Sequence, residues 1–239
     1  MTSMNRRALI TGASSGIGRA TALAFAEAGI DLILVSRSLE RLKRVASEVE
    51  KSGVKAQVHA ADLSVVEQVK ESIGAIVAVF PVDILVNSAG IGYTGTVLTT
   101  PLQDWQKVMD LNLTSVFQCI QAVLPGMRDR QQGTIINIAS IAGYQAFPGW
   151  AAYNVSKAGL IALSKTLANE ERTQGIRVIT IIPGATNTAI WDTDTVNADF
   201  DRSRMLTPET VAQSILHAAL LPPHAVIEEL TVMPSAGTL

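Results

Sequence analysis

Residues 8–18 read ALITGASSGIG, and this stretch decides the fold. Its first four residues predict a short strand, and the next seven predict a turn that contains Gly12, Gly16 and Gly18. Helical spacing follows over residues 19–28. A strand that enters such a turn and leaves it as a helix is typical of dinucleotide-binding sites, because the glycines let a pyrophosphate approach the helix N-terminus. An ordinary glycine-rich turn between a strand and a helix is the alternative.

The rest of the chain continues the alternation of strand and helix. This pattern predicts an α/β fold, a Rossmann-type doubly wound parallel sheet of about seven strands with helices on both faces. We expect residues 1–239 to form a single dinucleotide-binding and catalytic domain, with the polar stretch at about 185–206 as a substrate lid. Further strands are expected over 32–35, 54–59, 82–86, 134–138, 177–182 and 226–232, and helices over 39–51, 65–79, 102–127, 150–172 and 208–220.

Composition excludes several classes of protein. Of the 239 residues, 48% are apolar and the net charge is −2, which provides for a core and argues against disorder and against nucleic-acid binding. The one cysteine, Cys119, permits no internal disulfide and fits a reducing compartment. The N-terminus is too short and polar for a signal peptide, and no apolar run is long enough to span a bilayer. We therefore expect a soluble, cytoplasmic protein without a membrane partner.

The end of the second predicted strand indicates which dinucleotide binds. NAD-binding sites usually carry a carboxylate there to bind the ribose 2′-hydroxyl, whereas this chain has Ser36 followed by Arg37. A guanidinium binds a 2′-phosphate that a carboxylate would repel. The pair therefore predicts NADP(H), the alternative being that Arg37 is a solvated arginine at a helix start.

Three residues further along the chain have the chemistry of carbonyl reduction. Tyr153 and Lys157 stand four positions apart in a predicted helix, so they share one face of it, and Ser140 follows a predicted strand. A cation near the phenol favours the phenolate, which adapts Tyr153 to acid–base catalysis. Ser140 can donate a hydrogen bond to the substrate oxygen. Because Tyr-x-x-x-Lys is common, a helix without a catalytic role is the alternative.

Taken together in this order, the motifs closely resemble those of the short-chain dehydrogenases/reductases, over essentially the whole chain. The resemblance implies that Asn112 is a fourth catalytic residue that holds a proton-relay water, and that the protein is a homodimer or homotetramer joined mainly through the helices that start near Leu102 and Trp150. Ser88 departs from the family's Asn-Asn-Ala-Gly motif, which leaves the contacts of that loop open. The residues thus predicted to bind the cofactor are Gly12, Ser14, Ser15, Gly16, Ile17, Gly18, Ser36, Arg37, Asp62, Leu63, Asn87, Ala89, Gly90, Tyr153, Lys157, Pro183, Gly184 and Thr188.

Aromatic and apolar residues around the catalytic positions are the candidates for substrate contact. They would cover an apolar substrate, although several of them would equally serve to pack the lid against the core. Arg202 and Arg204 in the lid would accept an acidic carrier or a phosphorylated substrate, or lie on the surface. The substrate candidates are Tyr93, Ile141, Tyr144, Gln145, Trp150 and Trp191, with Phe147, Ile190 and Phe200 as further members of the same group.

The predicted function is an NADP(H)-dependent oxidoreductase that interconverts a ketone or aldehyde and an alcohol. A 3-oxoacyl thioester reductase, as in fatty-acid synthesis, is the second hypothesis, because chains that resemble this one often have that role. A catalytically silent NADP(H) sensor or scaffold is a third, which the presence of Tyr153 and Lys157 disfavours. No metal is expected, since His59, His217 and His224 lack metal-ligand spacing.

Overall fold

The computed structural model describes residues 6–198 and 200–237. Its centre is a parallel seven-stranded sheet in the order β3-β2-β1-β4-β5-β6-β7, which confirms the predicted fold class. The strands are β1 Arg7–Thr11, β2 Asp31–Ser36, β3 Ala56–Ala60, β4 Ile84–Asn87, β5 Gly133–Ile138, β6 Ile176–Pro183 and β7 Glu229–Val232; the α-helices are α1 Gly16–Glu27, α2 Leu39–Val49, α3 Val66–Val79, α4 Leu102–Met109, α5 Ser115–Asp129, α6 Ala151–Glu171 and α7 Pro208–Ala219.

Two apolar layers hold the helices against the sheet. Because side chains alternate along each strand, Ile10 faces the layer that contains α1, α2 and α7, whereas Leu9 faces the layer that contains α3, α5 and α6. Every residue of β2, β4 and β5 is buried, as expected for strands covered on both faces.

The strand order reverses beside β1, whose two neighbours are β2 and β4. In open α/β sheets ligands bind at such a reversal, outside the carboxyl ends of the strands. The ends of β1, β4 and β5 lie side by side here, since Thr11 pairs with Asn87 and Asn87 pairs with Asn137. The sheet therefore brings the glycine-rich turn and the residues that follow β5 to one edge.

The prediction of one continuous α-helix over residues 102–127 is wrong in one respect. A π-helical turn, Asp110–Thr114, separates α4 from α5. The hydrophobic spacing on either side is helical, and a π turn inserts only a local change of pitch, so the pattern does not reveal it. Single π turns are frequent at functional sites, and this one contains Asn112.

Candidate active site

A cavity of about 690 Å³ opens at the carboxyl edge of the sheet. It extends from the glycine-rich turn, past the ends of β2 and β4, to the residues that follow β5 and β6. The predicted site residues that line it are Gly12, Ser14, Ser15, Gly16, Ile17, Gly18, Ser36, Arg37, Asp62, Leu63, Ala89, Gly90, Ser140, Ile141, Phe147, Trp150, Tyr153, Lys157, Pro183, Gly184, Thr188, Ile190, Trp191 and Phe200.

The glycine-rich turn is packed so closely that side chains do not fit. Gly12 has a φ of +66°, and a Cβ there would lie 2.9 Å from the Cα of Ala89. Gly16 has a φ of +52°, and its Cβ would lie 3.2 Å from a methyl carbon of Thr188. The hydroxyl oxygen of Thr11 accepts hydrogen bonds from the main-chain nitrogens of Ser88 and Ala89, at 3.1 and 3.2 Å. The turn therefore presents its backbone to the cavity beside the start of α1, as a pyrophosphate site requires.

The end of β2 forms a polar part of the cavity. The hydroxyl oxygen of Ser36 is buried there without a hydrogen-bond partner, and the side chains of Arg37 and Arg41 line the same part. A buried, unpaired hydroxyl beside two guanidinium groups fits a phosphorylated ribose, because the phosphate oxygens would accept hydrogen bonds from all three.

Asp62 lines the same cavity, close enough to Arg37 for their charges to interact. Burial acts to raise the pKa of its carboxyl, but hydrogen bonds from Ser64, at 2.7 and 3.0 Å, and the charge of Arg37 hold that pKa below its ordinary value. Asp62 is therefore an ionised hydrogen-bond acceptor at neutral pH, which suits an amino group such as that of adenine.

Tyr153 and Ser140 meet at the middle of the cavity, where α6 faces the residues after β5. Burial raises the pKa of the Tyr153 phenol, and a hydrogen bond with Ser140 opposes part of that rise. The phenol is consequently protonated at neutral pH. A hydroxyl pair of this kind can donate to one carbonyl oxygen.

Lys157 lies one helical turn beyond Tyr153 and is buried. Its ammonium nitrogen donates a hydrogen bond to the carbonyl oxygen of Ile138 at 2.8 Å and lies 5.7 Å from the centre of the Tyr153 ring. Burial lowers the pKa of Lys157 to about 8. The lysine thus places a positive charge beside the phenol, and that charge is lost in mildly alkaline solution.

Asn112 lies behind the cavity wall and is fully buried. Its side-chain oxygen accepts from the Ile91 nitrogen at 2.8 Å, and its amide nitrogen donates to the Ile91 carbonyl at 2.9 Å and to the Ser156 hydroxyl at 3.1 Å. Asn112 therefore fastens the loop after β4 to α6. A Cβ at Gly90 would lie 3.2 Å from the Asn112 side-chain oxygen and 3.7 Å from the Lys157 nitrogen, so both groups converge on this glycine.

Asn87 also lies outside the cavity lining. Its amide nitrogen donates to the side-chain oxygen of Asn137 at 2.9 Å, and the amide nitrogen of Asn137 donates to the hydroxyl of Ser164 at 2.9 Å. This buried chain ties β4 and β5 to α6. Asn87 thus helps to hold together the strands and the helix that carry the candidate catalytic side chains.

The end of the cavity beyond Tyr153 is aromatic. The rings of Tyr153 and Trp150 are 5.6 Å apart, those of Trp150 and Trp191 are 5.8 Å apart, and those of Trp191 and Phe200 are 5.4 Å apart, all edge to face. Such spacings are typical of favourable aromatic pairs. The four rings form a continuous wall, called the aromatic wall below.

The described residues within 185–198 and 200–206 contribute to the lining of this end of the cavity. The Thr94 nitrogen donates to the Thr195 carbonyl at 2.8 Å, and the Asn197 nitrogen donates to the Thr94 hydroxyl at 2.8 Å. Arg202 forms an ion pair with Asp192 and donates to the Thr188 carbonyl at 3.0 Å. The described part of the segment is therefore held by contacts with the loop after β4 and by contacts within itself.

The family model described as short chain dehydrogenase matches residues 6–198. The chain belongs to the short-chain dehydrogenase family.

Three similar proteins illustrate the range of the family. The 3-oxoacyl-(acyl-carrier-protein) reductase of Staphylococcus epidermidis is 42% identical over 183 residues, 76% of this chain and 75% of its own. The enzyme of the same name from Synechocystis sp. is 38% identical over 237 residues, 96% of this chain and 95% of its own. An alcohol dehydrogenase from the archaeon Thermococcus sibiricus, solved with 5-hydroxy-NADP, superposes with a TM-score of 0.90 at 27% identity, covering 99% of each chain.

Three of the substrate candidates of this short-chain dehydrogenase lie outside the cavity lining. The Tyr144 hydroxyl donates to the Glu229 carboxylate at 2.8 Å, and its side chain is 51% exposed. Tyr93 directs its hydroxyl towards the Asp104 carboxylate, 3.4 Å away. Gln145 is exposed. Their places in the sequence, close to Ser140 or to the loop after β4, do not determine the direction of their side chains.

Several residues that line the cavity were not predicted. Arg41 lies in the first turn of α2, four residues after Arg37, and this closeness in sequence could have indicated a second cation near the end of β2. Met233 follows β7 and reaches the cavity because that strand lies beside β6, which no local pattern indicates. Four more lining residues belong to the segment predicted as the lid: Ala185, Thr186, Ala189 and Thr193. The remaining lining residues were not predicted, and they are Ser38, Ala61, Ser88, Ile91, Leu111, Ile138, Ala139, Ala142 and Pro148.

Two further findings concern the described residues as a whole. Within residues 6–198 and 200–237, no three His, Cys, Asp or Glu side chains are grouped so that they could hold a metal ion. No helix in the same part of the chain has the length and apolarity needed to cross a membrane.

Proposed function

We propose that this short-chain dehydrogenase is an NADP(H)-dependent oxidoreductase that interconverts a ketone or aldehyde and the corresponding alcohol. One observation carries the proposal: Ser140, Tyr153 and Lys157 line the same cavity as the glycine-rich turn. A dinucleotide that lies along the turn reaches the hydroxyl pair with its far end, so binding and proton transfer take place in one continuous space.

Ser36, Arg37 and Arg41 support NADP(H) as the cofactor. They supply an unpaired buried hydroxyl and two cations where the 2′-phosphate of a bound dinucleotide would lie. The similar alcohol dehydrogenase, solved with 5-hydroxy-NADP, supports the same choice. Asp62 and Leu63 would border the adenine, and Pro183, Gly184 and Thr188 the nicotinamide.

When bound, NADP(H) would supply or accept the hydride at the substrate carbon. In the reductive direction Tyr153 donates its proton to the carbonyl oxygen, and the resulting phenolate is stabilised by the charge of Lys157. Ser140 donates a hydrogen bond to the same oxygen and stabilises the negative charge that develops there. In the oxidative direction the phenolate of Tyr153 accepts the proton of the alcohol.

Asn112 is the fourth catalytic residue in this proposal, and it acts together with Lys157. Both side chains converge on Gly90, and Asn112 also holds Ser156, whose hydroxyl donates to the Tyr153 carbonyl at 2.8 Å. A water held between Asn112 and Lys157 would return the proton that Tyr153 gives up.

The second candidate function is reduction of a 3-oxoacyl thioester. It is favoured by the two similar reductases of that name, which are 42% and 38% identical. A silent sensor or scaffold is disfavoured, because Ser140, Tyr153 and Lys157 all line the cavity.

Steady-state reduction of simple ketones and of an acetoacetyl thioester with NADPH tests the proposal. We expect turnover of ketones, with the acetoacetyl thioester reduced less efficiently. Turnover of the thioester alone would favour the second function, and turnover of neither would overturn the proposed activity.

We also propose that residues 1–239 act as one domain with 185–206 as its lid, that the protein is a homodimer or homotetramer, and that it is cytoplasmic. The oligomer is supported by apolar side chains at the surface of the helices predicted to form it: Leu102 of α4 is 78% exposed, Phe117 of α5 44% and Val155 of α6 47%. Light scattering of the purified protein distinguishes these states from a monomer. The single cysteine, Cys119, is free and buried, which is compatible with a reducing compartment.

A further inference from the structure

The two ends of the cavity differ in charge. Among the described residues that line it, the charged side chains are Arg37, Arg41, Asp62 and Lys157. The first three surround the end of β2, and Lys157 is held by Ile138 behind Tyr153. The described lining beyond Tyr153 therefore carries no charged side chain.

Three polar side chains of residues 185–206 near the aromatic wall are already engaged. The indole nitrogen of Trp191 donates to the Thr186 carbonyl at 2.8 Å, and the Thr193 hydroxyl donates to the Ile190 carbonyl at 3.1 Å. Arg202 is bound by Asp192 and by two acceptors in the lid. A substrate at this end consequently finds the hydroxyls of Ser140 and Tyr153 as donors at its reacting oxygen, and a lining elsewhere in which aromatic rings predominate beside aliphatic side chains such as Ile141 and Ile190.

The aromatic wall begins at the catalytic phenol. Trp150 is in edge-to-face contact with Tyr153 and with Trp191, so a group attached to a carbonyl carbon at Tyr153 would lie against these rings. A flat ring in that place would continue the series of edge-to-face contacts. A carboxylate there would be desolvated without a partner, and polar amides would lose hydrogen bonds with water.

We infer that the preferred substrate is an uncharged ketone whose carbonyl carbon carries an aryl group, and that Trp191 selects it through its ring. The inference rests on the proposed function. It also separates the two candidate activities, since an acyl thioester has no ring to place against the wall.

The first test compares four substrates with NADPH. Acetophenone should have a kcat/KM about tenfold above that of cyclohexyl methyl ketone, which matches it in size, and above that of acetoacetyl-N-acetylcysteamine. The para-carboxylate of acetophenone should be reduced far more slowly than acetophenone. Equal or better reduction of the aliphatic ketone, the carboxylate or the thioester would overturn the inference while leaving ketone reduction in place. Reduction of none of the four would instead overturn the proposed function.

The second test uses variants and a binding measurement. Trp191→Leu should lower the kcat/KM for acetophenone about tenfold, whereas Trp191→Phe, which loses the same indole hydrogen bond but keeps a ring, should restore most of it. Trp105→Leu is the matched control, because Trp105 lines a separate small cavity on α4. NADPH binding verifies that each variant is folded.

Calorimetric titration of acetophenone into NADPH-loaded Tyr153→Phe measures the same preference without turnover. Adding Trp191→Leu to that variant should weaken binding about tenfold, and adding Trp191→Phe should not. Equal binding by the Leu and Phe variants would contradict a role for the ring, whatever the activity of the enzyme.

Discussion

The ammonium nitrogen of Lys157 lies 2.8 Å from the carbonyl oxygen of Ile138, the last residue of β5. This contact holds the lysine at the end of the strand, behind the phenol of Tyr153 rather than in solvent. One carbonyl offsets only part of the cost of burying the ammonium, so the pKa of Lys157 falls to about 8. The charge that is proposed to assist Tyr153 should therefore be lost as the pH rises past about 8.

This shift in pKa predicts the pH dependence of the reductive reaction. Because Lys157 must be charged to stabilise the phenolate that Tyr153 leaves behind, kcat/KM should be constant near neutrality and fall above about pH 8. The measurement is a pH profile of kcat/KM for a ketone with NADPH. Lys165→Met, which removes an exposed lysine from the same helix, should leave the alkaline limb in place. A plateau extending well above pH 8 would show that Lys157 retains its charge there.

Much of the fold follows from the sequence because its determinants are local. Alternation of buried strands with amphipathic helices predicts the parallel sheet, and turn chemistry predicts where the elements begin and end. The last strand is less accurate: residues 226–232 were expected, whereas β7 covers 229–232. Residues just before it are held by Arg177, which donates to the carbonyls of Leu221 and Ala225 at 2.9 and 3.2 Å. A side-chain contact from another strand is not visible in local hydrophobicity.

The residues of the candidate site also fall into two groups, those that local sequence predicts and those whose side-chain direction depends on tertiary contacts. Positions fixed by backbone requirements or by helical spacing, such as Gly12 and the pair Tyr153 and Lys157, meet at the cavity as the sequence indicates. Tyr144 does not, because a loop side chain takes its direction from tertiary partners, here Glu229 and Lys165. Arg202 likewise contacts Asn187 and Asp192 within residues 185–206. Its charge alone does not predict these partners.

Charge reversal at Arg37 tests the choice of cofactor. Arg37→Glu should weaken NADPH binding about 30-fold or more, since it removes a cation and adds a group that repels phosphate, while NADH binding changes little. Fluorescence titration of both cofactors measures the effect. Arg44→Glu makes the same change on an exposed face of α2, where Arg44 pairs with Glu40, and should be close to neutral. Equal affinity of the parent protein for NADPH and NADH would contradict the assignment.

Close packing at the glycine-rich turn predicts a loss of stability. Gly12→Ala combines a positive φ with a Cβ 2.9 Å from Ala89, and should lower the free energy of unfolding by about 3 kcal/mol. Gly53→Ala is the control, because Gly53 has a φ of +82° but nothing within 4 Å of the added carbon, so only about 1 kcal/mol of strain is expected. Urea denaturation compares the two. Equal losses would mean that the turn tolerates a side chain.

Replacement of Arg202 tests whether residues 185–206 act as a lid. Its guanidinium bonds Asp192, Asn187 and the carbonyl of Thr188, so Arg202→Ala should loosen residues 185–206. The group is partly exposed, and a loss of about 1 kcal/mol, or about a fivefold rise in KM, is expected. Limited proteolysis should cut the segment faster in this variant than in Arg204→Ala, which alters an exposed neighbour. Identical cleavage rates would mean that the contacts of Arg202 do not hold residues 185–206 in place.

Tyr153→Phe tests the central claim most directly. The measurement is kcat for reduction of an uncharged ketone at saturating NADPH, with NADPH affinity determined in parallel and Tyr144→Phe as the matched control outside the cavity. Removing the phenolic hydroxyl should lower kcat by about 100-fold to 10,000-fold while cofactor affinity stays within about twofold, because the lost group transfers the proton whereas most of the predicted cofactor contacts lie elsewhere in the cavity. Turnover close to that of the parent protein would mean that another group donates the proton, and the assignment of Tyr153 would be wrong.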